Sequence, residues 1–285
     1  MTEVAPDGRA LGHRPNHTLP LRVELVRQLR RRRTHLAIGF LAVLPFILAS
    51  AFAIGGAQAG ASGQSIIDLA THSGMNFAVF TLLMSVGFLL VVVVALFFGD
   101  SVASEASWSS LRYLLVIPIP RSRLLVQKAI VSALLSVVAI LVLAVVALCL
   151  GTVLYGTGPL VNPFGDALPY DTALVRLGLA LCYIAINLTW VAGLALLLSV
   201  LTDAPLGAVG GTVMVAILVQ ILDQITALGS LRDLLPGHFS FAWLRTLAPV
   251  VDWHDLALGS FSALAYATVF GMLAWARFAR KDITS

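Results

Sequence analysis

The residues best suited to chemistry in this chain are its histidines and the aspartates near them. His238 and His254 fall in one polar stretch with Asp252 and Asp255. Such a group could hold a metal or move protons, and would suit a membrane hydrolase or transferase. The alternative is a solvated face without chemistry. The first two are too far apart in sequence to form a ligand motif, and the closest pair, His13 and His17, sits in a Pro-containing tail. His35 and His72 fall beside apolar runs. No G-x-x-x-x-G-K-[ST], H-E-x-x-H or G-x-S-x-G occurs, and no Gly-Lys pair exists. No catalytic or metal-ligating residue is therefore assigned, and phosphate binding of the P-loop kind falls to another chain. Cys149 and Cys182 are too few for a disulfide framework and read as buried thiols in preference to a pair.

A second set of candidates is polar and lies within or beside apolar runs. Asn187 and Thr189 fall in the middle of one, and Gln220 and Asp223 near the end of the next. Polar groups at such depths face protein or a watery path. Asn187, Gln220 and Asp223 are thus pathway candidates, with hydrogen bonding between helices as the alternative. Gly207 and Gly211 form a G-x-x-x-G suited to close packing.

The third candidate is the stretch EASWSSLRYLLVIPIPRSRLLVQK, residues 105–128. Ser107–Leu115 reads as a short helix with Leu111, Leu114 and Leu115 on one side and Glu105, Ser109 and Arg112 offering polar contact. Pro118 and Pro120 end it. Arg121, Arg123 and Lys128 then stand at the mouth of the following apolar run. A rigid amphipathic piece of this kind could dock on a partner protein or simply anchor the loop to the interface.

The elements that must position these residues are membrane spans. The chain has 285 residues, is 59% hydrophobic and only 11% charged, with mean hydropathy +0.95. Soluble domains are about a quarter charged. Six long apolar runs are expected to cross a bilayer, near 36–54, 75–98, 129–154, 177–201, 206–222 and 256–275, the fifth being short. Residues 1–20 read as a disordered tail, and 21–35 as a basic amphipathic helix along the headgroups. In that helix Leu21, Leu25 and Leu29 form the apolar side, and Arg22, Glu24, Arg27 and Arg30 the polar one. No cleavable signal is expected, since the first apolar run starts near Leu36 behind an arginine cluster.

Lysine and arginine are unevenly shared. Eight lie in 1–35, four in 99–128 and three in 276–285, against only Arg176, Arg232 and Arg245 in the alternate segments. The positive-inside rule therefore puts both termini in the cytoplasm of a multi-pass cell-membrane protein. The net charge of +4 is an orientation signal, and no nucleic-acid partner is expected. The outer segments carry Asp68, Asp166, Asp171, Asp223, Asp233, Asp252 and Asp255. The segment 223–255 mixes aromatics with Pro236, Gly237 and charges, and reads as short helices at or re-entering the outer interface.

The 105–128 stretch resembles the permease subunits of type-2 ABC exporters. Those carry, after the second span, a Glu, Gly-Thr-Leu, a leucine run, a Pro-to-Arg step and Leu-Leu before a Lys. Glu105, Ser109-Ser110-Leu111, Leu114-Leu115, Pro118-Ile119-Pro120-Arg121, Leu124-Leu125 and Lys128 take those places, with Ser109-Ser110 departing from Gly-Thr. The entry helix, six spans, semi-helical outer segment and basic ending extend the likeness over nearly the whole chain. The resemblance implies an all-α membrane permease with an N-terminal interfacial helix, whose loop 99–128 is a coupling helix seated on a separate ATPase that binds ATP and Mg. It also implies a second permease, either another copy of this chain or a similar permease, a path lined by the second and fifth spans, and no cofactor in this chain. The apolar spans suit a hydrophobic or amphipathic cargo such as a drug, lipid or peptide. The alternatives are the outward His/Asp enzyme and a non-transporting membrane anchor for an ATPase.

Overall fold

The computed structural model describes residues 21–55, 66–107, 121–161 and 167–280. They are mainly helical, as apolar runs in lipid must be, because a helix satisfies its own backbone polar groups. Helix α1 (Leu21–Leu29) leads through two residues into α2 (Arg32–Gly55), which is continuous across Pro45. After the short α3 (Ile66–Ala70) come α4 (Gly74–Val86) and α5 (Leu89–Ser107). The longest helix is α6 (Arg121–Tyr155). Two two-residue strands, β1 (Leu160–Val161) and β2 (Ala167–Leu168), pair antiparallel beyond it, a small exception to an all-helical chain. Then follow α7 (Tyr170–Asn187), α8 (Thr189–Leu201), α9 (Pro205–Asp223), 3-10 segments over Thr226–Leu234 and Ala242–Leu247, and α10 (Trp253–Ala279).

Among the described residues five units are long and apolar enough to cross a membrane: α2, α6, α7 with α8, α9 and α10. A sixth is formed if α4 and α5 count as one span, but these two are bent by 56° at the break between them. The second span expected over 75–98 is therefore not one straight helix. The α7–α8 unit is the central one, 67% buried against 17% for α2 and for α10. It packs on α5 and α10, while α6 packs on α2, α4 and α5. The outward faces of α2, α6, α9 and α10 carry exposed Phe40, Val145, Leu218 and Phe261 among others, the surface that lipid tails or a second membrane protein would cover.

Backbone contact sets the crossing of α4 and α6. A side chain added at Gly74 would come within 2.4 Å of the Thr152 amide nitrogen, and one at Gly151 within 2.7 Å of the Gly74 carbonyl oxygen. The G-x-x-x-G pair has a smaller part: Gly207 meets only Ala204 and Thr202 nearby, and Gly211 the Leu198 side chain. The expected 99–128 loop is also shorter than the sequence implied. α5 carries helix through Ser107 and α6 resumes it at Arg121. Cys149 and Cys182 are free and exposed rather than buried, so each sits on an outward helix face.

Candidate functional site

At the end of the bundle where α1 meets α2, the sequence places charges beside apolar helices, and the fold buries them together. Lys128 of α6 is fully buried. Its ammonium lies 2.6 Å from a Glu105 carboxylate oxygen and 3.5 Å from Glu24, and donates to the Ser101 carbonyl at 3.0 Å. Arg27 of α1 pairs with both Glu24 and Glu105. Gln28 donates to Glu24 at 3.1 Å. Two glutamates thus share an arginine and a lysine in a cluster drawn from three helices.

A second cluster stands one turn away. Asp100 on α5, itself buried, accepts from Arg31 at 2.6 Å and pairs with Arg33. Arg31 also donates to Ser104 at 3.3 Å. Thr34 donates to the Gln28 carbonyl at 2.8 Å, tying the α1–α2 corner. Burial pushes the Glu24 carboxyl up, but the Lys128 ammonium and the Arg27 guanidinium outweigh that and hold it below the ordinary carboxylate value.

These positions correct the sequence reading of α1 and of Lys128. Glu24 does not stand with the arginines in solvent; Glu24 and Gln28, one turn apart, face the bundle. Leu21, Val23, Val26 and Leu29 are exposed, with Leu25 partly buried against the core. Lys128 is inside the bundle and not at an open mouth. Of the coupling residues, Glu105 ends in the buried cluster and Arg121 opens α6. Ser109, Ser110, Leu111, Arg112, Leu114, Leu115, Pro118 and Pro120 lie outside the described residues.

The pathway candidates separate. Gln220 of α9 donates to the carbonyl of Gly87, at the break between α4 and α5. That supplies a backbone acceptor with the partner that an interrupted helix lacks. Asn187 is buried where α7 gives way to α8. Asp223 ends α9 and accepts from His238 Nδ1 at 2.5 Å, while its backbone carbonyl accepts from Arg232 at 3.1 Å.

At this opposite end the segment between α9 and α10 is stapled through its backbone. Tyr183 donates to the Phe239 carbonyl at 2.8 Å, Tyr266 to Leu234 at 2.8 Å, and Arg176 to Thr246 at 3.0 Å. Gly229, with φ of 52°, supplies a kink that a side chain would oppose. The short helical turns expected here are present. His238 and His254 line one cavity of about 470 Å³ with Asp233 and Asp255. The sequence distance between the histidines concealed this juxtaposition. Asp252 caps α10 by accepting from the His254 amide, and Arg245 bridges it to Asp255 at 2.7 and 2.5 Å. Among the described residues no three His, Cys, Asp or Glu side chains converge as metal ligands do.

Residues 49–284 match the family model described as protein of unknown function (DUF2705). The chain belongs to that family. No curated protein matches it. The DUF2705 match takes in every helix from the end of α2 to α10, and with them Asp100, Glu105 and Lys128. It begins after α1, so Glu24 and Arg27 lie outside it.

Sequence reasoning missed the cluster partners Glu24, Arg27, Asp100 and Lys128 as a set. A signal was present: each acid lies within or beside an apolar helix, where an unpaired charge is costly and a partner is required.

Proposed function

We propose that this chain is the permease subunit of an ATP-driven exporter of the type-2 ABC kind. It moves a hydrophobic or amphipathic cargo out of the cytoplasm, with ATP and Mg bound by a separate ATPase. In this reading α4 and α5 form the second of six spans, both termini are cytoplasmic, and α1 lies along the inner headgroups with Leu21, Val26 and Leu29 toward the acyl chains. Two permease subunits, this chain with a second copy or with a similar permease, enclose the path.

The observation that carries the proposal is the buried cluster of Glu24, Arg27, Glu105 and Lys128. It clamps the last turn of α5 and the first turns of α6 to α1, and these are the two stems of the 108–120 segment. A partner pushing on that segment moves both helices as one body, since a paired buried charge resists being pulled from its partner. Coupling of nucleotide-driven closure to spans needs such a lever. An anchor with no transport role has no need of stems locked to each other through buried charge.

The test uses Leu111→Asp in the full chain. That variant is expected to reach the membrane, and to lose ATPase association or cargo-stimulated hydrolysis. Leu124→Ala is expected to matter less. Full association and stimulation in a normally expressed Leu111→Asp protein would reduce the loop to a membrane anchor.

A further inference from the structure

The outer surface of the α1–α2 corner carries cations without anions. Glu24 is the only acid in residues 21–55, against Arg22, Arg27, Arg30, Arg31, Arg32 and Arg33. These arginines divide by direction. Arg27, Arg31 and Arg33 turn inward onto Glu24, Glu105 and Asp100, three buried acids. Arg22, Arg30 and Arg32 are exposed, and among the described residues they form no ion pair. Asp203, exposed between α8 and α9, is paired with none of the three.

The rest of that outer surface is apolar. On α1, Arg22 shares its face with the exposed Val26 and Leu29 at helical spacing. On α2, Arg32 heads a row that runs through Leu36 and Phe40, 72% and 51% exposed, and on to Val43. Exposed apolar side chains along a span face acyl chains, so Arg32, one turn before the row, stands at headgroup depth. It also opens α2, whose first turn holds no acid. An arginine there opposes the helix dipole, and an anion beside it relieves both charges. The corner itself is fixed by the Thr34 bond to the Gln28 carbonyl and by Arg31 and Arg33 on Asp100. An acidic protein face would match the cations and leave the apolar rows uncovered. A phospholipid with a negative headgroup covers both, and arginine binds its phosphate as a fork.

We propose that the α1–α2 corner binds an anionic phospholipid of the inner leaflet, its headgroup on Arg30 and Arg32 and its acyl chains along Leu36 and Phe40. Arg22 draws a neighbouring headgroup to Val26 and Leu29. This rests on the placement of α1 at the inner headgroups in the reading above, and not on export.

The experiment titrates the purified full chain, in nonionic-detergent micelles, with tail-labelled phosphatidylglycerol. Unlabelled phosphatidylglycerol, phosphatidylcholine and inorganic phosphate then compete with it. Phosphatidylglycerol is expected to displace the probe at least tenfold more tightly than phosphatidylcholine, and phosphate not at all. Arg30→Gln with Arg32→Gln is expected to weaken phosphatidylglycerol at least tenfold, each arginine being worth about fivefold. Should that pair not fold, Arg32→Gln alone, with about a fivefold loss, takes its place. Arg30→Lys with Arg32→Lys keeps the charge and is expected to keep the preference for phosphatidylglycerol. Arg277→Gln with Arg280→Gln removes two exposed cations at the end of α10 and is expected to change nothing. Equal displacement by the two lipids, displacement by phosphate at the lipid's concentration, a loss under twofold in the glutamine variant, or an equal loss in the α10 pair overturns the proposal. Normal ATPase association without a preference for phosphatidylglycerol refutes only this inference, and the preference without ATPase association refutes only the export reading.

Discussion

Replacing Lys128 with Met removes one charge from the buried cluster and keeps most of the side-chain volume. The ammonium lies 2.6 Å from Glu105 and 3.5 Å from Glu24, with both carboxylates almost fully buried. At an effective dielectric of about 20 these two attractions are worth roughly 6 and 5 kcal/mol before desolvation. Burying the lysine costs several kcal/mol in return, so the net value of the pair is small. Truncation is different, because it takes one cation from two buried carboxylates, and breaking a buried pair from one side costs about 3–5 kcal/mol. Lys128→Met and Glu105→Gln should each destabilise the protein by about that amount. The double variant should lose clearly less than the sum, with a coupling energy of about 2 kcal/mol or more. The assay is reversible denaturant unfolding in micelles or, where refolding fails, the thermal midpoint of detergent-solubilised protein. A loss under about 1 kcal/mol in Lys128→Met, or strict additivity, would refute the clamp.

Other consequences follow from the same geometry. Gln220→Leu leaves the Gly87 carbonyl without its donor at the α4–α5 break and should cost about 1–3 kcal/mol, read as a lower thermal midpoint; an unchanged midpoint contradicts that role. Glu24 is held below the ordinary carboxylate value by Lys128 and Arg27 despite burial. Its contribution is therefore present above the unfolded carboxylate value and is lost as pH falls through the lowered folded value. The stability gap between the parent and Glu24→Gln should accordingly be constant near neutral pH and close in acid; a gap that persists at the lowest pH contradicts the assignment. Replacing Asp252 and Asp255 together by Asn frees a half-exposed Arg245, so it should cost about 1 kcal/mol or less per pair. ATPase assembly should be intact in that variant, and loss of a hydrolase activity would instead favour the enzyme alternative.

The apolar runs announced the helices, because runs of this length have few other uses, and the short helical turns of the segment before α10 followed from its mix of aromatics, Pro236 and charges. The break at Gly87–Phe88 was not legible. Neither residue is polar, and the signal is a glutamine more than a hundred positions away. Nor was the orientation of Glu24, since the helical repeat of α1 fits a leucine side equally well whether the acid meets water or a buried lysine. Lys128 looked like a charge at a membrane mouth for the same reason: a sequence shows a charge at the end of a span but not its partner. His238 and His254 were separated by sixteen positions of chain that folds back through the 3-10 segment Ala242–Leu247, so their shared cavity needed three dimensions.

The central claim is that the 108–120 segment seats on an ATPase. A photo-crosslinking amino acid placed at Leu111 in the full chain, expressed in its native membrane, measures this directly, with the same probe at Val153 at the other end of α6 as the comparison. The account predicts a covalent adduct between position 111 and a P-loop ATPase, responsive to ATP and Mg, and none from position 153. Absence of an ATPase adduct at 111, or equal adducts from both positions, would contradict it.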